Sequence, residues 1–96
     1  MHVPEAINGF KVLEYGYFPE PILPKGYIPP PDGRPPLEPV QNLAVCQAEG
    51  VDGFYLLYCT PDWRYITYEF SETAKYVKRS PMREFGQDVV VWHRRG

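Results

Sequence analysis

Apolar positions follow a two-residue beat in several places along the chain and a helical spacing in one. Phe10–Phe18 (FKVLEYGYF) is aromatic and β-branched enough for a strand, and Asn8-Gly9 just upstream has the composition of a tight turn. Asn42–Glu49 (NLAVCQAE), Phe54–Cys59 (FYLLYC) and Arg64–Phe70 (RYITYEF) are three further strand-like runs, separated by GVDG and TPDW. Such short, turn-rich separators predict an antiparallel meander over 42–70. Ser71 then has the chemistry of an N-cap and Glu72 suits the positive end of a helix, which predicts a helix over Glu72–Arg79, within 71–80. Ser80-Pro81 ends that helix or restarts a short turn through Glu84 before Gly86. Asp88–Arg95 (DVVVWHRR) has the β-branched density of a last strand. The expectation is a single α+β domain over 1–96, a small, mostly antiparallel sheet of five strands with one helix packed on one face.

Between Pro19 and Pro39 the pattern breaks, because this stretch holds nine of the twelve prolines. A fixed φ and a missing N–H forbid a regular helix or a central strand there, so 19–39 is expected to be extended and polyproline-like. It carries Ile22, Leu23, Tyr27, Ile28 and Leu37, apolar surface that predicts a strap lying on the domain, its rings covering aromatic side chains of the sheet. Pro21-Ile22-Leu23-Pro24 and Pro36-Leu37-Glu38-Pro39 also match the PxxP form of groove-binding ligands, so the segment reads either as such a motif or as a structural strap.

The meander can be read for register. A two-residue Asp52-Gly53 turn pairs Val51 with Phe54 and sets Cys46 opposite Cys59; a four-residue loop slides the pairing by two. Either way the two cysteines share a face, since a slip of two leaves the side-chain alternation unchanged. In the next hairpin, Leu57 is expected opposite Ile66, Tyr55 opposite Tyr68 and Tyr58 opposite Tyr65. One face then holds Ala44, Cys46, Ala48, Tyr55, Leu57, Cys59, Ile66, Tyr68 and Phe70, and its small strip is expected to receive the helix. The other holds Val45, Gln47, Glu49, Phe54, Leu56, Tyr58, Tyr65, Thr67 and Glu69, with Trp63 at its turn end.

Length and charge narrow the function. Ninety-six residues, 44% of them hydrophobic, suffice for one core and not for a two-domain enzyme. Ten basic residues against twelve acids leave a net charge of −2, unlike the global basicity of nonspecific nucleic-acid binders. The balance is uneven: residues 1–74 hold four basic residues against ten acids, and 75–96 hold six against two. No run reaches the ~20 apolar residues of a membrane helix, and Met1–Phe10 lacks a basic then apolar leader, so a cytoplasmic protein with no membrane partner is expected. Cys46 and Cys59 form no CxxC pair and have only His2 and His93 as companions. Buried, reduced core thiols are expected, with no metal, no cofactor and no catalytic residue.

The leading expectation is a small intracellular, non-enzymatic protein-binding module, an inhibitor or immunity-type partner of another protein, working as a monomer or small homo-oligomer. Tyr58, Trp63, Arg64 and Tyr65 are the expected contacts, because Trp, Tyr and Arg dominate interface hot spots and a hairpin turn does not by itself ask for tryptophan. The alternative is a nucleic-acid-binding domain that stacks bases on sheet aromatics and follows phosphates with Arg94 and Arg95. A small thiol or hydrolytic enzyme, pairing a cysteine with His93, is the third. Residues 53–79, a hairpin with a Trp turn feeding a capped helix, resemble the build of small bacterial proteins, some of them toxin-neutralising or inhibitory. That resemblance is one of architecture and implies no residue roles.

Overall fold

The computed structural model describes residues 2–89 and 91–95. The chain forms β1 (Ala6–Ile7), β2 (Phe10–Ile22), β3 (Val40–Gln47), β4 (Phe54–Cys59), β5 (Tyr65–Ser71), α1 (Ala74–Val77), α2 (Ser80–Phe85) and β6 (His93–Arg94). Strands β1 to β5 lie side by side in chain order, every pairing antiparallel, and β6 joins the outer edge of β2 beyond β1. The sheet is curled and the helical segment 74–85 packs against it, the expected α+β class. Among the described residues no helix is long and apolar enough to cross a membrane.

Local chemistry accounts for most boundaries. Asn8 (φ 50°) and Gly9 (φ 84°) make the two-residue turn between β1 and β2, both central residues left-handed as a primed hairpin turn requires. The strand expected over 10–18 runs on to Ile22, but its pairing slips: Tyr17 faces Asn42 and Ile22 faces Val40. Four residues of β2 thus lie opposite Gln41 alone, which places Pro19 and Pro21 where no ladder hydrogen bond is needed. Gln41 compensates by donating its side-chain N–H to the Phe18 carbonyl at 3.2 Å.

The helix starts two residues later than expected. Ser71 ends β5, and Thr73 is the N-cap, its Oγ1 accepting the Tyr76 N–H at 3.1 Å. The ladder breaks after Val77 because Pro81 has no N–H to return to the Val77 carbonyl. A second turn restarts at Ser80 and closes on Gly86 in the left-handed region at φ 69°. The expected strand over 88–95 is reduced to His93–Arg94, and its Val90 lies outside the described residues.

The six-residue connection 48–53 sets Cys46 opposite Tyr55 and Cys59 opposite Asn42, so the two cysteines are not directly opposed. The slip is even, and both do share a face. The next hairpin slips by two as well, with Leu57 opposite Tyr68 and Tyr58 opposite Thr67. A bulge there sets Cys59 opposite Tyr65 and leaves Ile66 extra. Tyr65 consequently moves to the cysteine face, while Ile66 packs with the helix-side core.

The helix lies on the face opposite to the one expected. Leu43, Val45, Leu56 and Tyr58 pack with Val77 of α1 and Phe85 of α2, joined by Phe18, Val40 and Val89. The reason is volume: a helix stands about 10 Å off a sheet, and branched or aromatic side chains fill that gap where alanine and cysteine leave voids. The small strip on the other face, Ala44, Cys46, Leu57 and Cys59, is covered instead by Val3, Phe10, Tyr55 and Trp63.

Residues 23–39 form a long excursion between β2 and β3, without helix or strand and held by a few bonds. The Lys25 N–H donates to the Glu84 carbonyl at 2.8 Å, the Leu37 N–H donates to the Tyr27 hydroxyl at 2.6 Å, and Glu38 pairs with Arg64 at 2.7 Å. Tyr58 is covered by Val77 of α1 and Phe85 of α2, and Ile28 of the excursion is 82% exposed.

Gly16 explains how the C-terminal segment closes the helix-side core. A Cβ there would collide with Val89 Cγ1 and sit 3.3 Å from both Trp92 Cε3 and the Val91 carbonyl oxygen. Lys78 pins the same segment, paired with Glu14 at 2.7 Å and held 5.4 Å over the Trp92 ring. Gly16→Ala should cost about 1–3 kcal/mol in denaturant unfolding through overpacking, and adding Val89→Ala should recover part of it. Strictly additive losses would mean that the two positions do not touch.

Candidate binding surface

The turn from β4 to β5 is built by Thr60. Its buried N–H donates to the Arg64 carbonyl at 2.9 Å, its carbonyl accepts the Trp63 N–H at 3.0 Å, and its hydroxyl bridges the Asp62 carboxylate and the Arg64 N–H. Beneath it, Asn42 Nδ2 donates to the carbonyls of Thr60 and Pro61 at 3.2 and 2.9 Å. These bonds hold Trp63 at φ +66°, a left-handed backbone that a bulky side chain rarely adopts. Its indole lies over the small strip, and the Tyr15 ring meets it edge-on at 6.4 Å.

The rim of the turn is charged but internally paired. Arg64 binds Glu38 at 2.7 Å and Asp62 at 3.3 Å. The Thr60 hydroxyl, with Arg64 beyond it, holds the Asp62 carboxyl below the usual carboxylate range, and the bond to Glu38, reinforced by Asp62, raises Arg64. Between this turn and the N-terminal residues 2–8 runs an open cleft of about 640 Å³, with Pro4, Ile7, Trp63 and Tyr65 as its apolar and aromatic walls and Asp62 and Arg64 at its mouth.

Of the four expected contacts, the structure brings Trp63, Arg64 and Tyr65 together at this cleft and separates Tyr58 from them. Tyr58 is 1% exposed beneath the helix, its ring 5.0 Å from that of Phe85 and its hydroxyl bonded to Ser80. The N-terminal wall escaped the sequence reading, in which Asn8-Gly9 was the only signal that the chain doubles back there. Tyr55, Tyr68 and Phe70 share the cysteine face as expected, and Phe10 joins them there. Tyr55 packs against Phe10, Phe70 and Tyr68 at 4.7, 4.9 and 5.5 Å, and Tyr68 and Phe70 remain about half exposed.

The residues singled out for the other two readings are placed less favourably. Arg94 is exposed opposite Glu14, but Arg95 ties the chain ends together: its N–H donates to the Leu13 carbonyl at 2.9 Å, its Nε to the Pro4 carbonyl at 3.4 Å, and Glu5 lies 3.6 Å away. His93 stacks on Tyr15 and Tyr17 at 5.1 and 6.1 Å. Cys46 and Cys59 are fully buried; burial pushes each thiol up to about 12, and for Cys46 the neighbouring Cys59 adds to the shift. Such thiols stay protonated at neutral pH and make poor nucleophiles. Their four-residue offset across adjacent strands, roughly 13 Å at 3.3 Å per residue, is beyond the reach of a disulfide. Among the described residues, no three His, Cys, Asp or Glu side chains are grouped as metal ligands. Compared with known proteins, the chain matches no family model, no curated protein and no solved structure.

Proposed function

We propose that the protein is a non-catalytic protein-binding module that receives its partner at the β4–β5 turn and the adjoining cleft. The observation that carries this reading is Trp63. A glycine would occupy its left-handed position without strain, yet the chain places its largest kind of side chain there, beside an open cleft that Arg64 and Tyr65 also line. Backbone strain of this kind, on the order of 1 kcal/mol, collects at functional positions. The cleft suits an apolar side chain of a partner protein, with the Asp62–Arg64 pair meeting polar groups around it. Binding of that sort acts by occlusion, the mode of inhibitors and immunity-type proteins. Two thiols that cannot bridge each other fit a reducing, cytoplasmic setting.

The test is affinity capture from nuclease-treated lysate with wild-type, Trp63→Ala and Tyr65→Ala baits, followed by direct binding and thermal melting of each variant. The expected result is a protein partner whose affinity falls about 30-fold or more, some 2 kcal/mol, with Trp63→Ala, while the variant stays folded. Capture abolished by nuclease would favour nucleic acid. Equal losses of fold and binding would assign the indole to structure alone.

A further inference from the structure

Strand β5 is the last in the sheet, and its outer edge has no strand partner among the described residues. Its seven residues, YITYEFS, contain no proline, lysine, arginine or glycine, and its irregularity is confined to the bulge at its start. Natural edge strands are usually blunted by prolines, lysines, bulges or inward-pointing charges, because an open row of N–H and C=O groups recruits another strand, and β5 carries only the bulge at its start and the half-buried Glu69. The opposite side of the sheet is protected: β1 and β6 occupy the outer edge of β2, and Pro19 and Pro21 interrupt the remainder of that edge. The helix α1 packs beside β5 and helps bury Ile66, but it leaves Thr67 exposed on its own side, and Tyr68 and Phe70 are exposed on the other face.

We propose that the β5 edges of two copies of this chain pair antiparallel about a two-fold axis at Tyr68, joining two sheets into one. Unpaired backbone groups call for an extended strand as the occupant, and the side chains make a second copy suitable. In this register Tyr68 meets its own copy, and each Phe70 lies diagonally beside the other Tyr68 on the cysteine face. Thr67 faces Glu69, the only charge in the strand, so no carboxylate opposes its own copy and each has a hydroxyl across from it. Because the far edge of each sheet is capped, the pairing closes as a dimer and does not extend into a fibre. The surface meets the Trp63 cleft only at Tyr65, the first residue of β5, and is centred three residues further on, so variants at Trp63 and Tyr68 let either assignment fail without the other.

Sedimentation and cysteine cross-linking test the inference together. The wild-type protein should reach twice its 11.1 kDa chain mass as concentration rises. Tyr68→Lys sets like charges face to face and should weaken the dimer about tenfold or more. Met82→Lys, at an exposed position on α2, should leave it unchanged. At the axis of an antiparallel pair the two Cα atoms are about 4.5–5.5 Å apart, within disulfide range. Tyr68→Cys should therefore link into a covalent dimer on mild oxidation, and Thr67→Cys, displaced from its own copy, should link far less. The native thiols are buried and do not compete. A chain that stays monomeric, a dimer indifferent to Tyr68→Lys, equal linking of the two cysteine variants, or β5 amides protected only by a foreign strand would each overturn the proposal. Trp63→Ala should lose the partner and keep the dimer.

Discussion

Raising the pH from 9 towards 12 should unfold the protein, with Cys46 and Cys59 as the main cause. Both thiols are fully buried in the cluster of Ala44, Leu57 and their neighbours, and desolvation pushes each from 9.0 up to about 12. In the unfolded chain they ionise near their ordinary value. Above pH 9 the unfolded state therefore binds fewer protons than the folded one, and stability falls as pH rises. The slope is about 1.4 kcal/mol per pH unit for each thiol, so two of them remove several kcal/mol across the window, a large part of what holds a small domain together. Tyr58, whose phenol burial also raises, acts in the same direction. The check is denaturant unfolding at a series of pH values, with the Cys46→Ala, Cys59→Ala double variant alongside. The variant should start about 1–2 kcal/mol less stable from lost packing and decline less steeply above pH 9. Parallel profiles would assign the alkaline loss to other groups. Thiol titration should agree, with almost no reaction under native conditions and two equivalents after unfolding.

How much was legible in the sequence depends on which physical quantity decided each feature. The three runs of the meander, the start of the strand at Phe10 and the Asn8-Gly9 turn follow from local composition and appear where composition placed them, whereas the last run, 88–95, keeps only His93–Arg94 as strand. The shared face of the two cysteines was legible because it depends only on parity: the connection 48–53 is longer than either loop considered, but the slip is even. The exact partners were not, since turn residues alone do not count loop length. Nor was the choice of helix face. It turns on volumes summed over the whole chain, and Val77, Phe85 and Val89 fit the branched side of the sheet, whereas the narrow strip suits Trp63 returning from a turn.

At the candidate site the same division holds. Trp63 stood out by its chemistry at a turn, and the left-handed backbone beneath it strengthens that reading. Arg64 and Tyr65 followed by adjacency. Tyr58 was grouped with them because the pairing expected for the second hairpin set it opposite Tyr65; the register slip sets it opposite Thr67, and the bulge moves Tyr65 to the other face. No local signal in RYITYEF announces a bulge. The proline-rich stretch was legible as extended and not as to its course, because proline restricts φ at each residue without choosing what the chain packs against. Here a few bonds at its base do that, above all Lys25 to Glu84 and Glu38 to Arg64.

The reassignment of Tyr58 has a direct consequence for mutagenesis. Its side chain is wedged among Leu56, Val45 and Phe85, so Tyr58→Ala should cost about 3–5 kcal/mol and leave little folded protein at ordinary temperature. Tyr58→Phe keeps the ring and removes only the bond to Ser80, itself completely buried, which leaves the Ser80 hydroxyl without its partner at about 1–3 kcal/mol. Ser80→Ala should strand the phenol in the same way. Removing both leaves no orphaned group, so the double variant should be less destabilised than the sum of the singles, with a coupling of about 0.5–3 kcal/mol. Simple additivity would mean that the two hydroxyls are not bonded to each other. The same variants separate core from surface. Tyr58→Phe lies beneath the helix, on the side away from the Trp63 indole, and should keep full partner affinity while its melting temperature drops. A loss of affinity as large as that expected for Trp63→Ala would instead return Tyr58 to the binding surface.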